Sequence, residues 1–388
     1  MNHIPGRLVR LDFGNSLLNT PTSVNLGDFG GIIPTANGSE GIQIINNEGK
    51  WYAIIVGGNI NVGTNPRIIK IDFGPDLGNP NPVATDWGNL GNLAQPIDLH
   101  VFQEGTNWYG FTVNAENNTI TRFDFGNSFE NTPTALNLGN IGNIAYPTGI
   151  YAINDNGSWR VFVANCGTNT GGGIASLTRL DFGNSLLNIP TGVNLGNPNN
   201  ALQEPRDITI MRSCGEVIAF AVNGRSGTNN IVKLDFNNNL AATPTASSLG
   251  NIGNLNFPHS LSKLFRVNEN IYGFITNVAN NTLTRLQFAG CTNSSIPSFQ
   301  GKNPPPVSYN LPGTYNINLT IDDGLPTQSS MCKQVVVLPY ADFTFEQDVC
   351  NPLSVNFTAA GTNVSNIKWE FHDGSASGQI NTSKSYNT

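Results

Sequence analysis

The chain has 388 residues, of which only 12% are charged, and a formal net charge of -7. That balance excludes the clustered Lys and Arg of a nucleic-acid footprint, and no apolar run approaches the roughly 20 residues of a membrane-spanning helix. Asn is the commonest residue, beside 42 Gly and 23 Pro; these favour turn backbones, so the composition describes many short strands joined by tight turns.

The start, Met1 to Gly6, lacks the apolar stretch of a signal peptide, and the chain is expected to be a piece of a longer one. From Arg10 a unit recurs six times: a cation, an apolar residue, then Asp-Phe. It reads Arg10-Leu11-Asp12-Phe13, Lys70-Ile71-Asp72-Phe73, Arg122-Phe123-Asp124-Phe125, Arg179-Leu180-Asp181-Phe182 and Lys233-Leu234-Asp235-Phe236. The decayed copy is Arg285-Leu286-Gln287-Phe288. A repeat of some fifty residues is the mark of a radial or stacked architecture.

The unit after Pro96 shows what each repeat contains. Pro96 to Phe102 is a short apolar run, Trp108 to Val113 a second, and Thr119 to Phe125 alternates polar and apolar as a half-buried strand does. Pro133 to Gly139 makes a weaker fourth. Four antiparallel strands per repeat predict one β-propeller blade. Other first strands start near Gly41 and at Pro147, Pro205 and Pro258. The N-terminal segment supplies only a third strand (Leu8 to Phe13) and a fourth (Pro21 to Gly27). Six blades with an incomplete first one are expected over residues 1–290; five blades closed by strand exchange are the alternative.

The pattern stops near Gly290. Then come Tyr309, Pro312-Gly313-Thr314-Tyr315, an alternating strand and Asp322-Asp323-Gly324. A second stretch from Ala341 carries Trp369-Glu370-Phe371-His372-Asp373-Gly374. These segments resemble PKD domains, immunoglobulin-like β-sandwiches, with residues 291–339 a copy whose front half is degenerate and 340–388 a second one truncated at its end. The resemblance implies a secreted bacterial cell-surface protein in which such sandwiches space a ligand-presenting module. It implies an extracellular, non-catalytic binding or adhesion function and a monomeric module of a larger chain. The partner would be a polysaccharide or another surface protein.

Five cysteines form no CxxC pair, which argues against zinc. Cys291 and Cys332 flank the first sandwich copy and form the candidate disulfide of an oxidising compartment. Cys166 and Cys214 read as buried thiols. Asp322, Asp323 and Asp373 are oxygen donors suited to Ca2+, and equally the usual residues of a turn before Gly.

First strands line a propeller's channel. Aligned near their starts are Gly41, Asp98, Gly149, Asp207 and Ser260, with His100 and His259 close by. Asp98, His100, Asp207 and His259 are therefore the candidate ligand-binding residues. They are also the acid–base residues of the competing reading, a propeller hydrolase or lyase. That second reading requires the side chains to converge in the channel. Trp87 replaces a Leu of the fourth-strand pattern and is the one aromatic candidate for an outward ligand surface. Trp51, Trp108 and Trp159 recur in register and read as core. The Arg/Lys-x-Asp pairs share a strand face and read as solvated ion pairs.

Overall fold

The computed structural model describes residues 6–34, 39–168, 173–213, 216–225, 227–267, 270–288, 294–296, 299–309, 311–321, 329–338, 340–361 and 366–387. These residues are all-β, with two single-turn 3-10 segments, Ile60–Val62 and Pro198–Asn200. Two compact units divide the chain, one made of most of the sequence to Gln287 and one of most of the sequence beyond it.

The first unit is a β-propeller. It opens with a hairpin of β1 (Leu8–Asp12) and β2 (Thr22–Gly27). Sheet I comprises β3 (Gly41–Asn47), β4 (Lys50–Gly57), β5 (Arg67–Gly74) and β6 (Val83–Gly88). Sheet II has β7 (Pro96–Glu104), β8 (Asn107–Asn114), β9 (Thr119–Gly126) and β10 (Thr134–Gly139). Sheet III has β11 (Pro147–Asp155), β12 (Ser158–Asn165), β13 (Ser176–Gly183) and β14 (Thr191–Asn194). Sheet IV has β15 (Pro205–Ser213), β16 (Glu216–Arg225), β17 (Thr228–Asp235) and β18 (Thr245–Gly250). In sheet V, β19 (Pro258–Leu261) and β20 (Phe265–Val267) both pair with β21 (Asn270–Asn277), which also pairs with β22 (Thr282–Phe288). The strands of sheets I to IV pair antiparallel in chain order.

The recurring motif explains how the sheets hold together. Its Phe is driven out of water and buried between sheets: Phe182 of sheet III packs on Phe111 of sheet II at 5.1 Å, and Phe236 of sheet IV on Phe162 of sheet III at 5.2 Å. Its Asp caps the turn that comes next. Asp72 Oδ1 accepts from Gly74 N at 2.7 Å and Asp124 Oδ1 from Gly126 N at 2.9 Å; both glycines have positive φ, 68° and 62°, the backbone that only glycine adopts without cost. Its cation reaches the next sheet. Arg122 donates to the Leu186 carbonyl at 2.8 Å, Arg179 to those of Leu240 and Ala241, and Lys70 pairs with Glu130 at 3.4 Å. The solvated strand face expected for the Arg/Lys-x-Asp pairs is thus corrected. Lys70 and Arg179 are buried, and these cations are staples between blades.

The same two contacts place the hairpin. Phe13 lies 5.3 Å from Phe274 of sheet V, and Arg285 of sheet V donates to the Leu17 carbonyl at 2.6 Å. On its other side Arg10 donates to the Leu77 carbonyl of sheet I at 3.1 Å, and Leu8 joins the core of Ile55, Ile69 and Phe73. The hairpin therefore comes after sheet V and before sheet I, as a sixth blade position. Among the described residues β2 pairs with β1, so the strand-exchange alternative is not the arrangement found.

The second unit contains small antiparallel sheets: β23 (Gly313–Ile321) with β24 (Ser329–Val337), then β25 (Ala341–Gln347), β26 (Ser354–Gly361) and β29 (Asn381–Ser385). The short strands β27 (Trp369–Glu370) and β28 (Ala376–Ser377) pair with each other. Trp369 sits 5.5 Å from Phe343 and 5.7 Å from Phe357, and Phe371 lies 5.6 Å from Phe357. Cys332 is disulfide-bonded; Cys291 and Cys214 lie outside the described residues, and Cys166 is a buried thiol. Among the described residues no helix is long and apolar enough to cross a membrane.

Candidate functional site

Each inner strand is the edge of its own sheet, so its outward amides and carbonyls need partners from elsewhere. Polar side chains on the neighbouring inner strand supply them. Gln43 of β3 brackets Val101 of β7, accepting from its N–H at 2.7 Å and donating to its carbonyl at 2.5 Å. Asp98 of β7 accepts from Ile150 N at 2.7 Å, and His100 Nδ1 from Ala152 N at 2.6 Å. Thr148 of β11 donates to the Pro205 carbonyl at 2.6 Å, and Asp207 of β15 accepts from Leu261 N at 2.6 Å.

The alternation of Gly and Asp along the aligned positions now has a cause. A Cβ on Gly41 would stand 2.7 Å from Leu99 N, and one on Gly149 would stand 2.7 Å from Asp207 Cα. Glycine lets inner strands approach until the Asp of the next sheet reaches the one beyond.

Asp98 and Asp207 come from sheets II and IV, with Gly149 of sheet III between them in chain order. Their carboxyl groups hydrogen-bond to each other. Burial pushes Asp98 up to about 6, against the amides of Ile150 and Leu99, which favour its charge. Burial, and next the charge of Asp98, drive Asp207 well above the ordinary carboxylate range. Two carboxyl groups in contact cannot both ionise cheaply, so the pair holds on to a proton more readily than an ordinary carboxylate does. Asp98 is half-buried although protein surrounds it, as befits a side chain facing a narrow channel.

His100 is also buried, 4.2 Å from the Tyr151 ring. Burial first, then the charge of Lys263, hold its pKa well below 6.5. Its Nδ1 accepts from an amide, so the neutral ring carries its proton on Nε2. This histidine staples β7 to β11 and does not join the carboxyl pair. His259, on β19, is half-buried. Of the four expected channel residues the structure joins two. Lys263, which comes after β19 and falls in no repeat register, was not legible in the sequence. It crosses to sheet II, where Nζ donates to the Val101 carbonyl at 3.4 Å, and burial pushes it down to about 8.

Trp87 corrects a further expectation. It is half-buried on β6, 5.9 Å from Phe125 of sheet II, with Lys70 Nζ 5.9 Å from its ring. It packs between sheets instead of presenting an outward ligand surface. Asp373, one of the Ca2+ candidates, pairs with Lys384 at 2.5 Å and accepts from Ser375 N at 3.1 Å; Asp322 and Asp323 lie outside the described residues. Among the described residues no group of three or more His, Cys, Asp and Glu is placed to hold a metal ion.

No family model and no curated protein matches this chain. Solved structures do resemble it. A thermostable family-43 glycoside hydrolase shares 11% identity over 64% of this chain and 88% of its own, at a TM-score of 0.45. An α-L-arabinofuranosidase from Podospora anserina, solved with cellotriose, shares 14% over 66% and 91%, at 0.44. An endo-arabinase from Bacteroides thetaiotaomicron shares 12% over 65% and 93%, at 0.43. These are distant likenesses, and no residue role is carried over from them. The expected non-catalytic adhesion module has no counterpart among these three, which are all enzymes.

Proposed function

We propose that the propeller is a polysaccharide hydrolase whose acid–base unit is the Asp98–Asp207 pair. The observation that supports this is the convergence of two carboxyl groups from sheets II and IV, hydrogen-bonded to each other and both raised by burial above the ordinary carboxylate range. Environments that separate two titrations in this way set up an acid and a base side by side. Asp98 takes a proton from water as that water attacks, and Asp207 gives its proton to the departing oxygen. The groups touch, unlike the carboxyl groups of glycosidases, which stand roughly 5–9 Å apart on opposite faces of a sugar ring. Both therefore work from one side of the bond, as a unit.

The tail is read as a PKD-like stalk and the protein as extracellular. Trp369, packed edge-on against Phe343 and tilted against Phe357, and Phe371, tilted against Phe357, support the first point, because the Trp-x-Phe signature forms the aromatic centre of its sheets.

The test incubates the purified chain with arabinan, xylan and β-glucan, measuring the release of new reducing ends. Asp98→Asn and Asp207→Asn are run beside it, with circular dichroism and melting curves to show that they fold. Hydrolysis lost in both folded variants supports the reading. Wild-type protein inert on every polymer, or variants as active as wild type, overturns it.

A further inference from the structure

A pocket of about 250 Å³ lies where sheets I, II and III meet. Asn61 reaches it from the loop after β4, Gln95, Glu116 and Asn118 from sheet II, and Tyr146 and Thr168 from sheet III. Gln95 and Tyr146 immediately precede Pro96 and Pro147, where the inner strands begin. Asp98 is three residues further along, so the pocket and the carboxyl pair share one end of the channel.

Gln95 and Tyr146 hold left-handed backbones, with φ of 51° and 45°, as do Glu204 and Phe257 before Pro205 and Pro258. In all four the carbonyl accepts from the end of the second strand or just beyond it: from Ala115, Cys166, Gly224 and Val278. The conformation belongs to the blade. The side chain it projects does not, because Gln, Tyr, Glu and Phe occupy the equivalent places. A fixed backbone with a changing side chain gives each sector of the rim its own chemistry.

In this sector the chemistry is that of neutral hydroxyl recognition. Carboxamides donate and accept, as do the phenol and the Thr hydroxyl, and a single carboxylate accepts. Among the described residues no Lys or Arg lines the pocket, which disfavours phosphate and carboxylate ligands. The groups are already held: Asn61 Nδ2 donates to Glu116 at 2.5 Å, Gln95 Nε2 to the Tyr146 hydroxyl at 3.4 Å, and Tyr146 N to Asn118 at 2.6 Å. Such preorganisation lowers the ordering cost of binding. The volume is below the roughly 300–1,000 Å³ of drug-sized sites and suits one ring-sized ligand.

We propose that this pocket is a subsite for one neutral sugar residue of the polymer that the carboxyl pair hydrolyses; its role as a subsite rests on that hydrolase reading. The test is calorimetric titration of the full chain with neutral xylo-, arabino- and gluco-trisaccharides, and with trigalacturonate as the anionic control. Asn61→Ala and Tyr146→Phe are each expected to weaken neutral trisaccharide binding about 5–10-fold, the loss typical of one hydrogen bond. Melting curves check that every variant folds. Failure of all neutral trisaccharides to bind, preference for trigalacturonate, or binding that both pocket variants leave unchanged overturns the proposal. The two readings fail separately. Pocket-dependent binding without hydrolysis leaves the subsite and removes the enzyme; hydrolysis with an unchanged KM in the pocket variants does the reverse.

Discussion

The Arg285 guanidinium donates to the Leu17 carbonyl at 2.6 Å across 268 residues of sequence, repeating the bond that Arg122 makes to Leu186 one sheet onward. Closure of the ring uses the same device as its interior. The Arg285 bond is exposed, whereas Arg179 is buried against Leu240 and Ala241. Arg285→Ala is expected to cost about 0.5–1.5 kcal/mol and Arg179→Ala about 2–3 kcal/mol, because the second leaves the buried Leu240 carbonyl unpaired. Urea unfolding at pH 7 measures both, and an equal loss would contradict the difference in burial.

Gly149→Ala tests the close approach of the inner strands. The new Cβ would stand 2.7 Å from Asp207 Cα, a clash with backbone that only a strand shift relieves. The expected loss is about 1–3 kcal/mol. Gly157→Ala is a weaker control: nothing lies within 4 Å of its Cβ, and only its positive φ of 85° opposes the change. Thermal melting separates the two, and Gly149→Ala should be the lower.

The carboxyl pair makes stability depend on pH in a definite direction. Both pKa values are raised above the roughly 3.9 of an unfolded Asp, so the native state binds more protons than the unfolded chain above that value. The contribution is complete below about pH 4 and fades as pH rises through about 6 and beyond. Asp207→Asn removes this titration while keeping a donor, so its stability relative to wild type should improve from pH 5 to pH 8. Urea midpoints at the two pH values measure it, and a constant difference would show that no proton is shared.

His100→Leu distinguishes a staple from a catalytic group. The substitution orphans the Ala152 amide, at an expected cost of about 1–3 kcal/mol, and leaves the turnover of folded protein unchanged. His100→Gln, whose side chain can still accept, should recover part of the loss. A turnover deficit in the folded fraction of both variants would return His100 to the site.

The blade was legible because its signals are local. Alternation recurs with every copy, a Pro opens four of the five inner strands, and the Asp-Phe-Gly turn appears in four of the six units. The carboxyl pair was legible only as two candidates. Nothing in one sequence says that Gly149 leaves room for side chains from sheets II and IV to meet. Lys263 was missed because it falls in an interruption between β19 and β20, outside any repeat. Trp87 was misplaced for the opposite reason. It does lie on an outer strand, but blades pack so closely that Phe125 and Lys70 of neighbouring strands cover its ring.

Asp98 stands on sheet II and takes an amide from sheet III, while Asp207 stands on sheet IV and takes one from sheet V. The proton that the two carboxyl groups compete for therefore sits at a crossroads of four blades. Removing it sets two negative charges against each other at that point, and the repulsion is delivered to all four inner strands together.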